Sequence, residues 1–331
     1  MREIYTVKLL DGKSFKVNKS ETILDASLKN NIHLAYSCKD GRCGVCKTRV
    51  IKGETNEIIE SSILNKEERK RGFILTCVTA ASSDIEISAE DLFYLSEIET
   101  RLLPCKIDKI NKLNKEIMSV ILRFPPNSNF KYLPGQYITL TDPSGNKRSY
   151  SISSYKDRHN NKIELIIKVY QDGILSNYFL NIAKKDDLMR LEGPLGTFFL
   201  RDARPNVDVL IFIATGSGIA PVKAMLEKIE EEKLMDRYKE VYVYYGTRYR
   251  KDMFFNCNDF LPDGVVFRTV FSREGGDFRY VQDAVLDDFK SFHRVSVYAC
   301  GSQDMIKSSS EQFFNKGLDP KLFFSDAFLV S

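Results

Sequence analysis

The spacing of hydrophobic positions divides the chain into three stretches with different periods. Tyr5, Val7 and Leu9 alternate with Thr6 and Lys8, Asp11-Gly12 marks a turn, and Phe15 and Val17 resume the alternation. This predicts a β-hairpin. Residues 22–30 read as a helix that packs Ile23, Ala26 and Leu28, and apolar runs at 50–51 and 73–78 predict two more strands. From Cys105 to Tyr170 strand follows strand: CKIDKI, IMSVILRF, QYITL, SYSIS and KIELIIKVY, parted by Pro125-Pro126, Pro134-Gly135 and Pro143-Ser144-Gly145. That pattern predicts a small antiparallel barrel. After Asp208 the run VLIFIA reads as a fully buried strand, followed by a glycine loop and a helix with Met225, Leu226 and Ile229 on one face. VYVYYG, VVFRTVFS and VSVYACG then alternate with helical segments, which predicts a parallel sheet.

Length supports this three-part reading, since 331 residues exceed one ordinary domain. The expected joints lie near residues 97–103 and 203–206, giving domains 1–98, 99–203 and 204–331. The formal charge, 49 − 45 = +4, gives no strong pull toward nucleic acid. No apolar run of signal-peptide length opens the chain, and none approaches the ~18 residues of a membrane span. A cytoplasmic protein without membrane or nucleic-acid partners is expected. In that compartment thiols stay reduced, so clustered cysteines point to metal rather than disulfides.

Three of the seven cysteines crowd into SCKDGRCGVCKT, as Cys38-x4-Cys43-x2-Cys46, and Cys77 follows in FILTCV. This is the plant-type [2Fe–2S] ferredoxin spacing. Soft thiolates suit the cluster and offset the charge of two ferric ions. Gly41 and Gly44 allow a close wrap that points backbone N–H groups at sulfur. A structural zinc site more often uses two C-x2-C pairs, and Cys77 has no near partner. A Rieske centre needs two histidines, whereas His33, His159 and His293 are scattered. Cys105, Cys257 and Cys300 are not assigned to the cluster. Strand, strand, helix, cluster loop and strand make residues 1–98 similar to a β-grasp ferredoxin.

Arg148-Ser149-Tyr150-Ser151 resembles the R-x-Y-[ST] flavin motif of the ferredoxin–NADP reductase superfamily. A guanidinium can grip pyrophosphate through paired donors. The expectation places Tyr150 and Ser151 on one side of the pleat, the ring to stack on isoalloxazine and the hydroxyl to reach its N5 edge. The resemblance further implies FAD, a second phosphate-contacting loop at Gly173 and Ser176, and a turn at Gly193-Pro194 and Gly196. Thr215-Gly216-Ser217-Gly218 opens a helix carrying Pro221, a strand–loop–helix unit whose free N–H groups attract pyrophosphate. Proline at that place is the form seen in this superfamily. There, a strand end such as Cys300-Gly301 lies beside the nicotinamide; the plain alternative for Cys300 is a buried small residue.

Nearly the whole chain therefore resembles the ferredoxin-fused reductases: an N-terminal [2Fe–2S] domain, an FAD barrel and a pyridine-nucleotide domain. The resemblance implies an electron-acceptor protein as partner. PCKID and the tail FFSDAF are similar to the branch serving a pyridoxamine-dependent sugar dehydrase of 3,6-dideoxysugar and lipopolysaccharide biosynthesis. Oxygenase reductase components share all three modules and remain the alternative. That branch implies NADH. Against it, Ser272-Arg273 followed by Tyr280-Val281-Gln282 resembles the NADPH site of cytochrome P450 reductases, with Phe278 where that pattern has lysine and Arg279 beside it. NADPH is expected to serve at least as well as NADH. The charge runs at 66–71 and 227–233 read as solvated helix faces. Lys39, Arg42, Lys47 and Arg49 against Asp40 give the cluster loop a local 4 − 1 = +3, a solvated loop or a docking surface for an acidic partner.

Overall fold

The computed structural model describes residues 3–201, 206–255, 260–275 and 280–328. Cys257, Phe278, Arg279 and most of the expected second joint at 203–206 lie outside them. Contacts divide the chain into Met1–Glu99 and Thr100–Ser331, so the barrel and the parallel sheet belong to one compact unit.

In the first unit the hairpin forms as β1 (Ile4–Lys8) and β2 (Ser14–Asn18), and the helix as α1 (Ile23–Lys29). Thr22 caps α1 by accepting from the Asp25 N–H, an interaction that stabilises a helix by about 1 kcal/mol. β3 (Lys47–Lys52), β4 (Thr55–Glu57), α2 (Lys66–Lys70), β5 (Phe73–Leu75), β6 (Thr79–Ala81) and β7 (Ile85–Ile87) complete it. The main sheet runs β2-β1-β7-β3-β5, with β7 parallel to β1. Val7, Leu9, Ile23, Leu75 and Ile87 form its core. The strand expected over 73–78 ends at Leu75, and Cys77 stands in a turn closed by Val78 N–H to Leu75 O at 3.1 Å. A thiol on a continuing strand would stay within the ladder, whereas the turn frees it to face the cluster loop. The 66–71 run is indeed a short helix with no buried residue.

The second unit starts with β8 (Arg101–Lys112), β9 (Ile117–Arg123), β10 (Tyr137–Thr141), β11 (Lys147–Ser151), β12 (Lys162–Lys168), α3 (Ile174–Asn181) and β13 (Leu188–Leu195). These strands form an antiparallel sheet in the order β11-β10-β13-β8-β9-β12. Pro104 is tolerated in β8 because only β13 pairs at that level; pairing with β9 begins at Lys106. The expected turn at Gly193-Pro194 is instead part of β13, and only Gly196, at φ +84°, leaves the strand. Gly193 has to be small, since a Cβ there would lie 2.8 Å from Ile138 Cγ2.

β14 (Val209–Thr215), α4 (Ile219–Glu231), β15 (Glu240–Thr247), β16 (Val265–Phe271), α5 (Val281–Asp288), β17 (Val295–Gly301), α6 (Gln303–Phe314) and β18 (Phe323–Ala327) form the last part. The sheet is wholly parallel, β16-β15-β14-β17-β18. Its inner strands read as unbroken apolar runs because both faces are covered. The tail FFSDAF, read in the sequence only as a family mark, supplies the edge strand β18. The order reverses beside β14, and the crevice at the strand ends there is where such sheets hold ligands. Among the described residues, no helix is long and apolar enough to cross a membrane.

Candidate functional site

The four cysteines of the ferredoxin pattern meet as two pairs. Cys46 Sγ lies 3.2 Å from Cys77 Sγ, and the Cys43 thiol donates to Cys38. That bond holds the Cys38 thiol down to about 7, against the opposing effect of burial. The partner thiols Cys43 and Cys77 are pushed up, first by the bond to the neighbouring thiol and then by burial. Backbone N–H groups of Asp40 and Arg42 point at Cys38 sulfur, that of Val45 at Cys43, and that of Gly41 at Cys77. Gly41 and Gly44 both take φ +78°, the left-handed region that permits this wrap. Among the described residues no three His, Cys, Asp or Glu side chains converge on one point, as a single ion would need. Thiols arriving two by two suit a binuclear cluster, in which each iron takes two. The donor set and the inward N–H groups therefore fit [2Fe–2S].

The cluster loop is less free to dock a partner than its local charge suggests. Arg42 Nε donates to Asp40 at 2.7 Å, Lys47 pairs with Glu68 of α2 at 2.9 Å, and Arg49 Nε donates to Arg71 O at 3.0 Å. The count over residues 36–50 missed the acid that α2 brings back to the loop.

In the barrel, β11 pairs with β10 so that Arg148 faces Leu140 and Tyr150 faces Ile138. Arg148 and Tyr150 thus share one side of the pleat, and Ser151 takes the other, opposite Tyr137. This corrects the expectation that Tyr150 and Ser151 share a side. Arg148 is exposed, Tyr150 is half-buried against the barrel core, and Ser151 is buried. The loop read at Gly173 and Ser176 is the start of α3, which the sequence reading missed. Ser176 Oγ donates to Gly173 O at 3.0 Å, and a Cβ on Gly173 would lie 2.4 Å from Ser176 Oγ. Leu175 and Phe179 of α3 pack in the core that Tyr150 covers, so the two halves of the flavin pattern meet across one cluster. An exposed guanidinium, an aromatic ring and a helix start fit an FAD.

At the sheet crevice the fit is closer still. Gly216 takes φ +54° at the loop tip, and Pro221 sits in the first turn of α4. A Cβ on Gly218 would lie 2.4 Å from Cys300 O, and one on Gly301 2.1 Å from Thr215 Oγ1. The loop after β14 and the end of β17 therefore interlock, bringing Thr215, Gly216, Gly218, Cys300 and Gly301 together. Cys300 is fully buried, and burial followed by the nearby Asp326 carboxylate pushes its thiol well up. It packs in the core between the parallel sheet and barrel residues such as Ile117 and Phe198. Beside this, Ser272 N–H donates to Thr247 O and Arg273 N–H to Arg248 O, each at 3.0 Å. Val281, next to Tyr280, abuts Gly246. The three parts of the Ser-Arg-Tyr pattern so gather at the ends of β15 and β16, with exposed Arg248 and Arg273.

Residues 9–82 match the 2Fe-2S iron-sulfur cluster binding domain, 104–200 the oxidoreductase FAD-binding domain and 212–311 the oxidoreductase NAD-binding domain. The chain is 38% identical to CDP-6-deoxy-L-threo-D-glycero-4-hexulose-3-dehydrase reductase of Yersinia pestis, over 97% of either chain. It belongs to the family of ferredoxin-fused flavoprotein reductases. As a member, it is an NAD(P)H-dependent oxidoreductase with FAD and a [2Fe–2S] cluster. The toluate 1,2-dioxygenase electron transfer component of Pseudomonas putida is 27% identical over 95% of this chain and 94% of its own. The fold also matches the crystal structure of the Amycolatopsis cytochrome P450 reductase GcoB, with TM-score 0.72, 23% identity and 98% of each chain covered.

One group in this reductase escaped the sequence reading altogether. The 227–233 run is a solvated face only from Glu230 to Lys233; Glu227 at its start is buried and bonded to Lys223 at 2.7 Å. Lys223 also reaches Glu164 on β12, so α4 is bonded to the barrel. An i, i+4 Lys–Glu pair looks like a surface pair in sequence, and only the packing of the barrel against α4 buries it.

Proposed function

We propose that this protein passes electrons from NAD(P)H to a pyridoxamine-dependent hexulose-3-dehydrase in 3,6-dideoxysugar and lipopolysaccharide biosynthesis. The observation that carries the reading is the 38% identity, over nearly the full length, with a protein named as the reductase of that dehydrase. The competing reading, a reductase component of an oxygenase, draws support from the 27% identity with the toluate dioxygenase component. The deciding experiment supplies the purified protein and NAD(P)H to the dehydrase and looks for 3-deoxysugar. No product, with brisk reduction of an oxygenase component, would favour the second reading. The work divides among domains 1–98, 99–203 and 204–331, and reduced thiols are in keeping with a cytoplasmic setting.

When bound, the flavin accepts hydride from the nicotinamide and the cluster hands electrons on singly. Cys38, Cys43, Cys46 and Cys77 would hold the cluster. Arg148 would hold the flavin pyrophosphate with Gly173 and Ser176, and Tyr150, on the same side of the strand as Arg148, would stack on the ring. Thr215, Gly216, Gly218 and Pro221 would seat the coenzyme, with Cys300 and Gly301 beside the nicotinamide. Arg148→Ala is expected to weaken FAD retention by the ~1.5–3 kcal/mol typical of a hydrogen bond to a charged group. Flavin content after gel filtration and a titration of apoprotein with FAD check this.

Ser272, Arg273 and Tyr280 would hold a 2′-phosphate, where a planar guanidinium matches phosphate oxygens. Arg273→Ala is then expected to raise the KM for NADPH about ten-fold or more, the effect of ~1.5–3 kcal/mol of charge-assisted bonding, and to leave that for NADH nearly unchanged. A wild-type enzyme that strongly prefers NADH, with both coenzymes equally affected by the substitution, would remove the 2′-phosphate assignment.

A further inference from the structure

We propose that Lys223 is a positioning residue for hydride transfer, locking the helix of the nucleotide loop to the strand segment that continues the flavin motif; this rests on the reductase reading above. Lys223 stands five residues after Gly218, on the first turns of α4. Its ammonium donates to Glu164 Oε2 at 2.8 Å, Glu227 Oε1 at 2.7 Å and Ser153 O at 3.1 Å. All three of its protons are used.

Each acceptor is itself fixed. Glu164 also accepts from the Ser119 hydroxyl at 2.5 Å and the Ser153 hydroxyl at 3.1 Å. The second oxygen of Glu227 accepts the backbone N–H groups of Tyr155 at 2.6 Å and Lys156 at 3.2 Å. Ser153 follows Ser151 of the flavin motif by two residues. A short path of bonds thus joins the flavin strand to the glycine loop. At the rim, Arg158 grips Glu231 through two bonds of 2.9 and 2.6 Å, but these charges are more open to water and their contribution is smaller.

Adhesion alone does not account for a partly buried ammonium between two carboxylates. Taking three charges largely out of water, Glu227 buried and Lys223 and Glu164 partly so, is costly, and apolar side chains of similar size would join the two surfaces at least as well. What the triad adds is direction. Apolar surfaces tolerate small slips, whereas the bonds from Lys223 to Glu164 and Ser153 O, together with those that Glu227 accepts from Tyr155 and Lys156, fix the offset between helix and barrel. Hydride transfer needs that precision. The flavin and the nicotinamide are held by different elements, and the reacting atoms have to come within ~3–3.5 Å.

The test is rapid-mixing reduction of the FAD-loaded protein by saturating coenzyme. For Lys223→Met, FAD content and the coenzyme KM are expected to stay within about two-fold of wild type, the pattern of a lost transition-state interaction. The limiting rate of flavin reduction should fall about ten- to a hundred-fold, the size expected for reacting groups displaced by up to ~1 Å. The primary isotope effect with deuterated coenzyme should change with it, and Lys223→Arg should recover part of the rate. Glu164→Gln keeps the shape and removes one charge, and should show the same pattern more weakly. It decides the matter if Lys223→Met does not fold. Wild-type rate and isotope effect with only a lowered melting temperature, or a defect confined to FAD loss or KM, would overturn the proposal. A wild-type protein whose flavin takes no electrons from NAD(P)H would instead refute the reductase reading.

Discussion

Replacing Cys43 with serine is expected to abolish electron delivery to any acceptor that depends on the cluster, while hydride transfer to the flavin continues. The visible iron–sulfur absorption should vanish, with FAD still bound. The reason is local. Cys43 pairs with Cys38 at the mouth of a loop whose N–H groups already face sulfur. Serine offers a harder oxygen donor, and one that deprotonates far less readily, to a site suited to soft thiolates. The damage should stay within its own unit, because Met1–Glu99 has a separate core built on residues such as Val7, Ile23 and Ile87. Iron and sulfide analysis, the absorption spectrum and parallel assays with a hydride-accepting dye and a one-electron acceptor check all of this. Wild-type protein that contained zinc without iron or sulfide would refute the cluster assignment.

Much of this architecture was legible because its strongest signals are local. The Cys38-x4-Cys43-x2-Cys46 spacing, the glycine loop at Thr215–Gly218 and the unbroken apolar run before it each state their chemistry within a dozen residues. What escaped the reading depends on distant partners. β7 is a three-residue strand whose identity rests on parallel pairing with β1, nearly eighty residues earlier. β18 looks like a polar-interrupted tail until Cys300 and Asp326 are seen in register. β13 carries Gly193-Pro194, which reads as a turn, yet β10 and β8 flank it on both sides. The burial of Glu227, with Lys223 and Glu164 partly buried around it, is likewise a property of two modules in contact, and no window of sequence contains it. The misreading of Tyr150 and Ser151 has another origin. Adjacent residues on a strand point to opposite sides, so a motif taken as one unit cannot present all its side chains to one face.

Substituting Gly218 with alanine is expected to be the most damaging single change at the nucleotide loop. Gly218 has φ −61°, a conformation alanine adopts readily, so no backbone strain enters. The conflict is steric. The added Cβ would lie 2.4 Å from Cys300 O and 2.8 Å from Cys300 C, both main-chain atoms. β17 is buried along its whole length and held between β14 and β18, so it has no room to yield. The loop has to move instead, and with it the start of α4. Overpacking of this kind costs about 1–3 kcal/mol in stability. The larger effect should fall on hydride transfer, where a displacement of order 1 Å lowers the rate about a hundred-fold. Gly216 provides the contrast: its φ of +54° strains an alanine, but no atom lies within 4 Å of the added Cβ. Gly216→Ala should therefore cost only the ~1–2 kcal/mol of a left-handed residue and reduce turnover less. Rapid-mixing reduction by NAD(P)H, alongside dithionite reduction to show that both redox centres are intact, separates the two. Near-normal coenzyme-dependent reduction in Gly218→Ala would mean that the contact between the loop and Cys300 does not hold the nucleotide site in place.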